Sequence, residues 1–201
     1  MAKKRIDERL LIEAALSEFS TYSFEESSVN RIIEKAGITK GSFYYRFNNK
    51  YELYLYLLKL GNRKKWEFIN SDPEINSNSA KDIFELFQSQ AESGVRFALA
   101  HPQYYKLSKM FSKEKGTALY SRVLNDLNAT DEAGLKKRIT KAYKDGNFNT
   151  DFSLPFIEKT ISSLFLSFDE ILFRGEDFEL DKAISFLKEF VQFLKYGLKK
   201  T

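Results

Sequence analysis

The segment from Thr39 to Lys50 holds the side chains best suited to recognising another molecule. It reads TKGSFYYRFNNK. Lys40 is a donor suited to guanine edges, and the hydroxyl groups of Thr39 and Ser42 can donate to a phosphate or a base. Gly41 has no side chain to hold the backbone away from a ligand. The further candidate DNA-contacting residues are Tyr44, Tyr45, Arg46 and Lys50, with Ser28 and Asn30 upstream. The chemistry that these residues share is contact with DNA phosphates and base edges.

Two short helices with clear ends must position these side chains. Ser28 offers an N-cap to a helix over 29–36, in which apolar residues recur at i, i+3, i+4 and i+7, and Gly37 follows as the C′ residue. Thr39 can cap a second helix over 40–47, whose Phe43 and Phe47 share one face for packing on the first. With a preceding helix over 6–19, the pattern predicts a helix-turn-helix, whose second helix fits the ~12 Å major groove of DNA.

Residues 28–50 resemble the TetR family of transcriptional regulators. They match the string AG[IV]-[ST]-K-G-[ST]-[FL]-Y-x-x-F-x-x-K at every position, and the resemblance covers about the first 60 residues. Similar proteins are all-helical homodimers with an N-terminal DNA-binding domain and a C-terminal domain that binds a small effector and dimerises. The resemblance implies that Lys50 holds a phosphate and that these residues face DNA: Thr39, Lys40, Gly41, Ser42, Tyr44, Tyr45 and Arg46.

Two residues depart from the family pattern. Ile33 stands where Ala is usual, and Arg46 stands where Tyr or His is common. We expect Ile33 to alter the packing between the helices. We expect Arg46 to alter the operator sequence and the phosphate contacts.

The positive charge of the chain is concentrated at its N-terminal end. Residues 1–65 hold 13 Lys and Arg against 8 Asp and Glu, a net of +5, and the remaining residues hold 19 against 20, a net of −1. A basic segment joined to a nearly neutral remainder suggests that the first part meets a polyanion. A solvated surface with chance asymmetry is the alternative, so the motif rather than the charge favours double-stranded DNA as the partner.

The rest of the chain also reads as helices, which makes the predicted fold all-α. Asn48 and Asn49 can cap a long helix over 50–70, and residues 71–79 have the Asn, Ser and Pro content of a linker. Periodic segments follow at 80–100, 104–111, 117–127, 131–145, 151–173 and 180–198. We predict a three-helix DNA-binding domain over 1–49, a connecting helix over 50–70, and a larger C-terminal domain over 71–201 for effector binding and dimerisation.

Two apolar stripes on the last helix predict a homodimer. The first stripe has the same spacing as an apolar stripe on the preceding segment over 151–173, and we treat the two together. On the preceding segment the residues are Ile157, Ile161, Leu164 and Phe168, and on the last helix they are Ile184, Leu187, Val191 and Leu194. The second comprises Ala183, Phe186, Phe190 and Phe193. Two stripes need partners on two sides, and we assign the first stripe to a second subunit. A dimer reads both halves of a palindromic operator. A monomer that covers both stripes internally is the alternative.

Small and aromatic residues in the middle of the chain suggest a pocket for an apolar or aromatic effector, whose binding releases the operator. Small residues on the 80–100 helix permit a cavity, although close helix packing is their more frequent explanation. The candidate lining residues are Phe84, Phe87, Ala91, Gly94, Tyr104, Tyr105, Phe111 and Tyr120.

The sequence offers little for catalysis or metal binding. It has no cysteine and one histidine, His101, whereas metal sites need several convergent ligands. It lacks the nucleophile-elbow, zinc-protease and phosphate-loop motifs, so we predict no enzyme and no cofactor. No apolar run approaches the ~20 residues of a membrane span and no signal peptide is evident, which predicts a cytoplasmic protein. The rival hypothesis is a helical protein-interaction adaptor with a basic end and no specific DNA site.

Overall fold

The computed structural model describes residues 8–73, 82–127, 130–166 and 180–198, which contain ten helices and no strand. The first four helices are α1 (Glu8–Phe19), α2 (Val29–Ala36), α3 (Lys40–Tyr44) and α4 (Lys50–Asn70). They are followed by α5 (Ile83–Ala100), α6 (Pro102–Lys113), α7 (Ala118–Asp126), α8 (Thr130–Lys144), α9 (Leu154–Leu166) and α10 (Leu180–Leu198). The predicted all-α class is confirmed.

The chain forms two compact units, each drawn from two stretches of sequence. The first unit comprises Met1–Trp66 and Ala100–Asn128, and the second comprises Glu67–Leu99 and Ala129–Thr201. The first unit holds 18 Lys and Arg against 10 Asp and Glu, a net of +8, whereas the second holds 14 against 18, a net of −4. The charge asymmetry is therefore sharper in space than along the chain. The division into functional domains at residues 49 and 70 stays a prediction.

The core of the first unit is built around the helix-turn-helix. Fully buried side chains from six helices form it, including Leu11, Ile32, Phe43, Leu57, Leu107 and Val123. Helix α3 has only five residues and is too short to be stable alone, so its stability comes from burying Phe43. Burial of one phenylalanine side chain contributes about 1.5–3 kcal/mol.

The core of the second unit joins α5, α8, α9 and α10. Its buried side chains include Phe84, Phe87, Ile139, Phe148, Ile157, Ile161, Val191 and Leu194. Asp82 caps α5 by accepting from the backbone N–H groups of Phe84 and Glu85 at 3.0 and 2.9 Å. Lys195 of α10 donates to the same carboxylate at 2.8 Å. An N-cap and an ion pair thus fasten the start of α5 to the last helix.

Several predicted helix ends are corrected by the structure. Helix α3 ends at Tyr44 rather than at residue 47, because the N–H of Arg46 bonds to the carbonyl of Phe43 and tightens the turn. Helix α6 begins at Pro102 rather than at residue 104, since the missing N–H of proline is no loss at a first helical position. Helix α9 begins at Leu154 rather than at residue 151. None of the described helices has the length and hydrophobicity to cross a membrane.

Candidate nucleic-acid interface

Helix α2 has a well-defined cap at each end. The side chain of Ser28 accepts from the N–H of Arg31 at its start. At its end Gly37 adopts a left-handed conformation with φ 64°, and the N–H of Ile38 bonds to the carbonyl of Ile33 at 3.2 Å. This arrangement is a Schellman motif, in which glycine avoids the steric cost of a positive φ. The Schellman motif thereby fixes the direction in which the chain leaves α2 in the predicted turn of the helix-turn-helix.

A buried carboxylate that sequence reasoning missed attaches α2 to α1. Glu18 is 8% exposed, and its Oε1 accepts the backbone N–H of Ser28 at 2.7 Å. The same oxygen accepts Nε and one terminal nitrogen of Arg31 at 2.9 and 2.5 Å. Arg31 also donates to the carbonyl of Glu26 at 2.7 Å. The sequence shows Glu18 only as an acidic residue beside an apolar stripe, which gives no sign of these partners.

Helix α3 presents its polar residues outwards, whereas Phe43 within it and Phe47 after it face inwards. Thr39 Oγ1 accepts the backbone N–H of Ser42 at 3.1 Å, and the two hydroxyl oxygens lie 2.9 Å apart. Lys40 is exposed, whereas Phe43 and Phe47 are 0% and 6% exposed. The predicted anchoring of this helix by its phenylalanines is confirmed, and its first turn is left accessible.

None of the described residues lies close enough to Gly41 to require a glycine there. A Cβ added there would meet no described atom closer than Thr39 Oγ1 at 3.9 Å, which is ordinary contact. Glycine in a helix is less stable than alanine by roughly 0.5–1 kcal/mol. The residue therefore lowers helix stability without relieving any internal crowding, which points to close approach of a partner from outside.

Three of the remaining candidate contacts, Asn30, Tyr44 and Tyr45, are exposed. Tyr44 and Tyr45 are 54% and 84% exposed, and the ring of Tyr44 lies edge-on to Phe43 at 5.1 Å. Asn30 is exposed on α2, whereas Ser28 is half-buried as its cap. Large aromatic side chains with hydroxyl groups at a surface suit contact with a second molecule.

Arg46 follows α3 and bonds within the chain. Its terminal nitrogen forms an ion pair with Glu8 Oε1, and the hydroxyl of Tyr56 donates to the same oxygen at 3.0 Å. The side chains of Arg46 and Glu8 are 32% and 48% exposed. The predicted DNA-contacting guanidinium is therefore held by a carboxylate at the surface of the first unit.

Lys50 begins α4 and holds the loop before α2. Its Nζ donates to the carbonyl oxygens of Phe24, Glu25 and Ser27 at 2.5, 3.2 and 3.0 Å. An ammonium group has three N–H donors, so this loop engages all of them. The prediction that Lys50 binds a phosphate stays a prediction, and such a contact would share these donors.

The two asparagines before α4 cap it as predicted. Asn49 Oδ1 accepts the N–H of Glu52 at 2.9 Å. In return Glu52 accepts from the side chain and the backbone N–H of Asn48, and these hydrogen bonds lower the pKa of Glu52. The start of α4 is thus fixed shortly after the end of α3.

The eight candidate pocket residues are divided between the two units. Phe84 and Phe87 lie in the core of the second unit, and Ala91 and Gly94 lie half-buried on α5. Tyr104, Tyr105, Phe111 and Tyr120 belong to the first unit, where the rings of the last two stack at 4.8 Å. The lining of an effector pocket stays a prediction.

The first apolar stripe of α9 and α10 faces the core of its own unit. Ile157, Ile161, Leu187, Val191 and Leu194 are all at most 3% exposed, while Leu164 and Ile184 are half-buried and Phe168 lies outside the described residues. Side chains buried this deeply have little surface left for a second subunit. Phe186 and Phe193 of the second stripe are 40% and 72% exposed instead. The position of a dimer interface stays a prediction, and the exposed rings of the second stripe leave more surface for it than the first stripe does.

A short, capped helix with an exposed polar face, anchored on two others by buried phenylalanines, defines a helix-turn-helix DNA-binding protein. Residues 11–57 match the family model described as bacterial regulatory proteins, tetR family. The segment that forms the helix-turn-helix is therefore similar to the DNA-binding region of TetR family transcriptional regulators, and this match covers residues 11–57 of the 201.

Individual proteins are similar to part or to nearly all of the chain. The uncharacterized HTH-type transcriptional regulator YdgC of Bacillus subtilis strain 168 is 37% identical over 59 residues, which cover 29% of this chain and 30% of that protein. A TetR family regulator from Chloroflexus aurantiacus J-10-FL has a TM-score of 0.73 at 22% identity, covering 96% of this chain and 93% of that one. The fatty acid degradation regulator FadR from Bacillus halodurans has a TM-score of 0.69 at 18% identity, covering 96% of each chain. Both structural likenesses show the shared fold.

Proposed function

We propose that this protein is a cytoplasmic, ligand-responsive repressor that binds a palindromic operator as a homodimer and is released by a small effector. The observation that carries the proposal is the exposed first turn of α3, where none of the described residues crowds the position of Gly41. Close approach of the DNA backbone explains that glycine. The net charge of +8 on the first unit supports attraction to a polyanion.

The proposed contacts fall into two groups. Lys40, Gly41, Thr39 and Ser42 lie at the N-terminal end of α3, the part of a recognition helix that faces base edges. Contacts to the DNA backbone come from exposed or partly exposed side chains around this turn: Ser28, Asn30, Tyr44, Tyr45, Arg46 and Lys50. The first group determines the sequence preference, and the second fixes the position of the domain on the duplex.

The proposed dimer uses the exposed face of α10. Phe186, Phe193 and Tyr196 recur on this helix and are 40%, 72% and 79% exposed, and Phe156 of α9 is 50% exposed. Apolar rings of this size at the surface of one subunit favour burial against a second. A symmetric dimer presents two recognition helices to half-sites about one helical turn apart.

The proposed effector is apolar with one polar group. Ser93 on α5 is 0% exposed, and its hydroxyl has no hydrogen-bond partner among the described residues. A buried hydroxyl without a partner is unfavourable, and a polar group on a ligand would satisfy it. Similarity in fold to FadR of Bacillus halodurans, a fatty acid degradation regulator, supports an effector with a long apolar part. In the proposed mechanism, the effector binds the state that does not bind the operator more tightly and shifts the population towards it.

The test is selection of bound sequences from a random double-stranded DNA library by the full-length protein. We expect a palindromic winner whose binding constant falls steeply with salt, since several phosphates are neutralised. Candidate fatty acids of different chain lengths are then added to the complex, and one of them should release the DNA. A sequence-independent result with a shallow salt slope would contradict operator binding and favour the adaptor hypothesis.

A further inference from the structure

The guanidinium of Arg46 is already paired with an oxyanion when no DNA is present. Glu8 lies in the first turn of α1, and its Oε1 receives both Arg46 from the end of α3 and the hydroxyl of Tyr56 from α4. Three helical segments thus converge on one carboxylate oxygen. This oxygen lies next to the helix that is proposed to enter the groove.

The carboxylate of this pair is more exposed than that of the arginine–glutamate pair that joins α1 to α2 in the same unit. Glu18 is 8% exposed and also holds a backbone N–H group, so its pair with Arg31 is a fixed part of the fold. Glu8 is 48% exposed, and its partner Arg46 is 32% exposed. Ion pairs at this exposure are weak, with about 0.2–1 kcal/mol between their members, so water or another anion can replace the carboxylate.

Carboxylate and phosphate oxygens compete for the same donors. A guanidinium binds both in the same planar, fork-like geometry, and a phosphodiester has two oxygens available for it. We propose that Glu8 acts as an internal substitute for a DNA phosphate, holding Arg46 in the free protein and giving it up when the operator binds. The inference rests on the proposed function, because it assigns a regulator of affinity to that same interface.

Glu8 then has opposite effects on the two states of the protein. In the free protein its ion pair stabilises the packing of the end of α3 on α1. Operator binding replaces the pair with a phosphate contact, and the free energy that the wild type needs for breaking the pair lowers its affinity for the operator. A residue with a purely structural role would lower both stability and affinity when changed. A loss of stability together with a gain in operator affinity, when Glu8 is changed, therefore identifies Glu8 as a substitute for a DNA phosphate.

The experiment is a double-mutant cycle with the full-length protein on its selected operator. Glu8→Gln removes the negative charge but keeps an acceptor oxygen for Tyr56, and Arg46→Met removes the guanidinium but keeps an apolar side chain. Glu34→Gln on the exposed face of α2 is the control, since it makes the same change in net charge. Binding constants and the midpoints of urea unfolding are measured for wild type, the three single variants and each double variant with Arg46→Met.

We expect Glu8→Gln to tighten operator binding about two- to fivefold beyond the control while it lowers the unfolding midpoint. In the Arg46→Met background this excess should vanish. An equal gain in affinity with Arg46 and with Met at position 46 would show that Glu8 acts only through the overall charge of the domain. A loss of affinity in Glu8→Gln would show that Glu8 positions the site. Either result overturns the inference but leaves operator binding in place. Failure of the wild type to select any sequence would overturn the proposed function as well.

Discussion

Lys50 Nζ lies 2.5 Å from the carbonyl oxygen of Phe24 and 4.5 Å from the centroid of the same residue's ring. One side chain thus makes a charged hydrogen bond and a cation–π contact to a single loop residue. The loop leads into the cap of α2, and Lys50 is also the first residue of α4. The contacts between Phe24 and Lys50 therefore hold the loop before α2 against the start of α4, on either side of the helix-turn-helix.

We expect Lys50→Met to destabilise the first unit by about 1–3 kcal/mol, because three loop carbonyls lose a charged donor. Urea unfolding followed by far-ultraviolet circular dichroism measures this, with Lys59→Met at an exposed position of α4 as the control. The salt slope of operator binding should also fall by about one if Lys50 shares its charge with a phosphate. Unchanged stability would contradict the role inferred from the three hydrogen bonds.

Gly41 and Gly61 should respond to alanine in opposite ways. Gly41→Ala has room for its methyl group, so it should stabilise the protein by about 0.5–1 kcal/mol and weaken operator binding. Gly61→Ala places Cβ 2.9 Å from Tyr104 Cδ1, so the ring must move and stability should fall. Thermal unfolding and operator titration of both variants provide the check. If Gly41→Ala bound the operator as tightly as wild type, close approach of DNA at this residue would be excluded.

The sequence predicts those parts of the fold that local chemistry determines. Gly37 and the cap residues Ser28 and Thr39 act within four residues of their own position, so their roles can be read from spacing alone. The long helix over 50–70 is confirmed to the residue because Asn49 caps it locally. Periodicity likewise identified Phe43 as an anchor.

Partners that are distant in sequence could not be predicted in this way. Glu8 and Arg46 are 38 residues apart, and nothing in either segment indicates the other. The same holds for Glu18 and the N–H of Ser28. On α10 the periodicity revealed two apolar stripes. Which of them faces the core depends on how the whole unit packs, so the pattern alone did not determine whether Leu187 or Phe193 is buried.

Glu18→Gln should destabilise the helix-turn-helix by about 1–3 kcal/mol. The neutral amide keeps an acceptor oxygen but loses the charge that holds Arg31, whose side chain is 47% exposed and can partly regain water. Glu13→Gln, whose pair with Arg9 is 54% and 77% exposed, is the matched control and should change stability by less than about 0.5 kcal/mol. Equal losses in the two variants, measured by urea unfolding, would show that burial of Glu18 adds nothing.

Asp82 should make the stability of the second unit depend on acidic pH. Burial raises the pKa of this carboxyl, but the ammonium of Lys195 and the N–H groups of Glu85 and Phe84 outweigh that effect and lower it below 3.8. A lowered folded pKa gives stability that is present above 3.8 and is lost as the pH falls through the folded value. The difference in unfolding free energy between wild type and Asp82→Asn should therefore shrink from pH 6 to pH 2. A difference that stays constant with pH would contradict this assignment.

Phe193→Gln should separate the subunits of the proposed dimer. The ring is 72% exposed in one chain, and a symmetric interface would bury two copies of it, each contributing about 1.5–3 kcal/mol. We expect the dimer dissociation constant in sedimentation equilibrium to rise at least about tenfold, since 1.4 kcal/mol corresponds to that factor. Leu124→Gln, which alters a 40% exposed side chain of the first unit, should leave the constant unchanged. Replacing a large apolar ring at the centre of an interface by an amide must weaken association. If Phe193→Gln also left the dimer dissociation constant unchanged, the second stripe of α10 would therefore not be the interface.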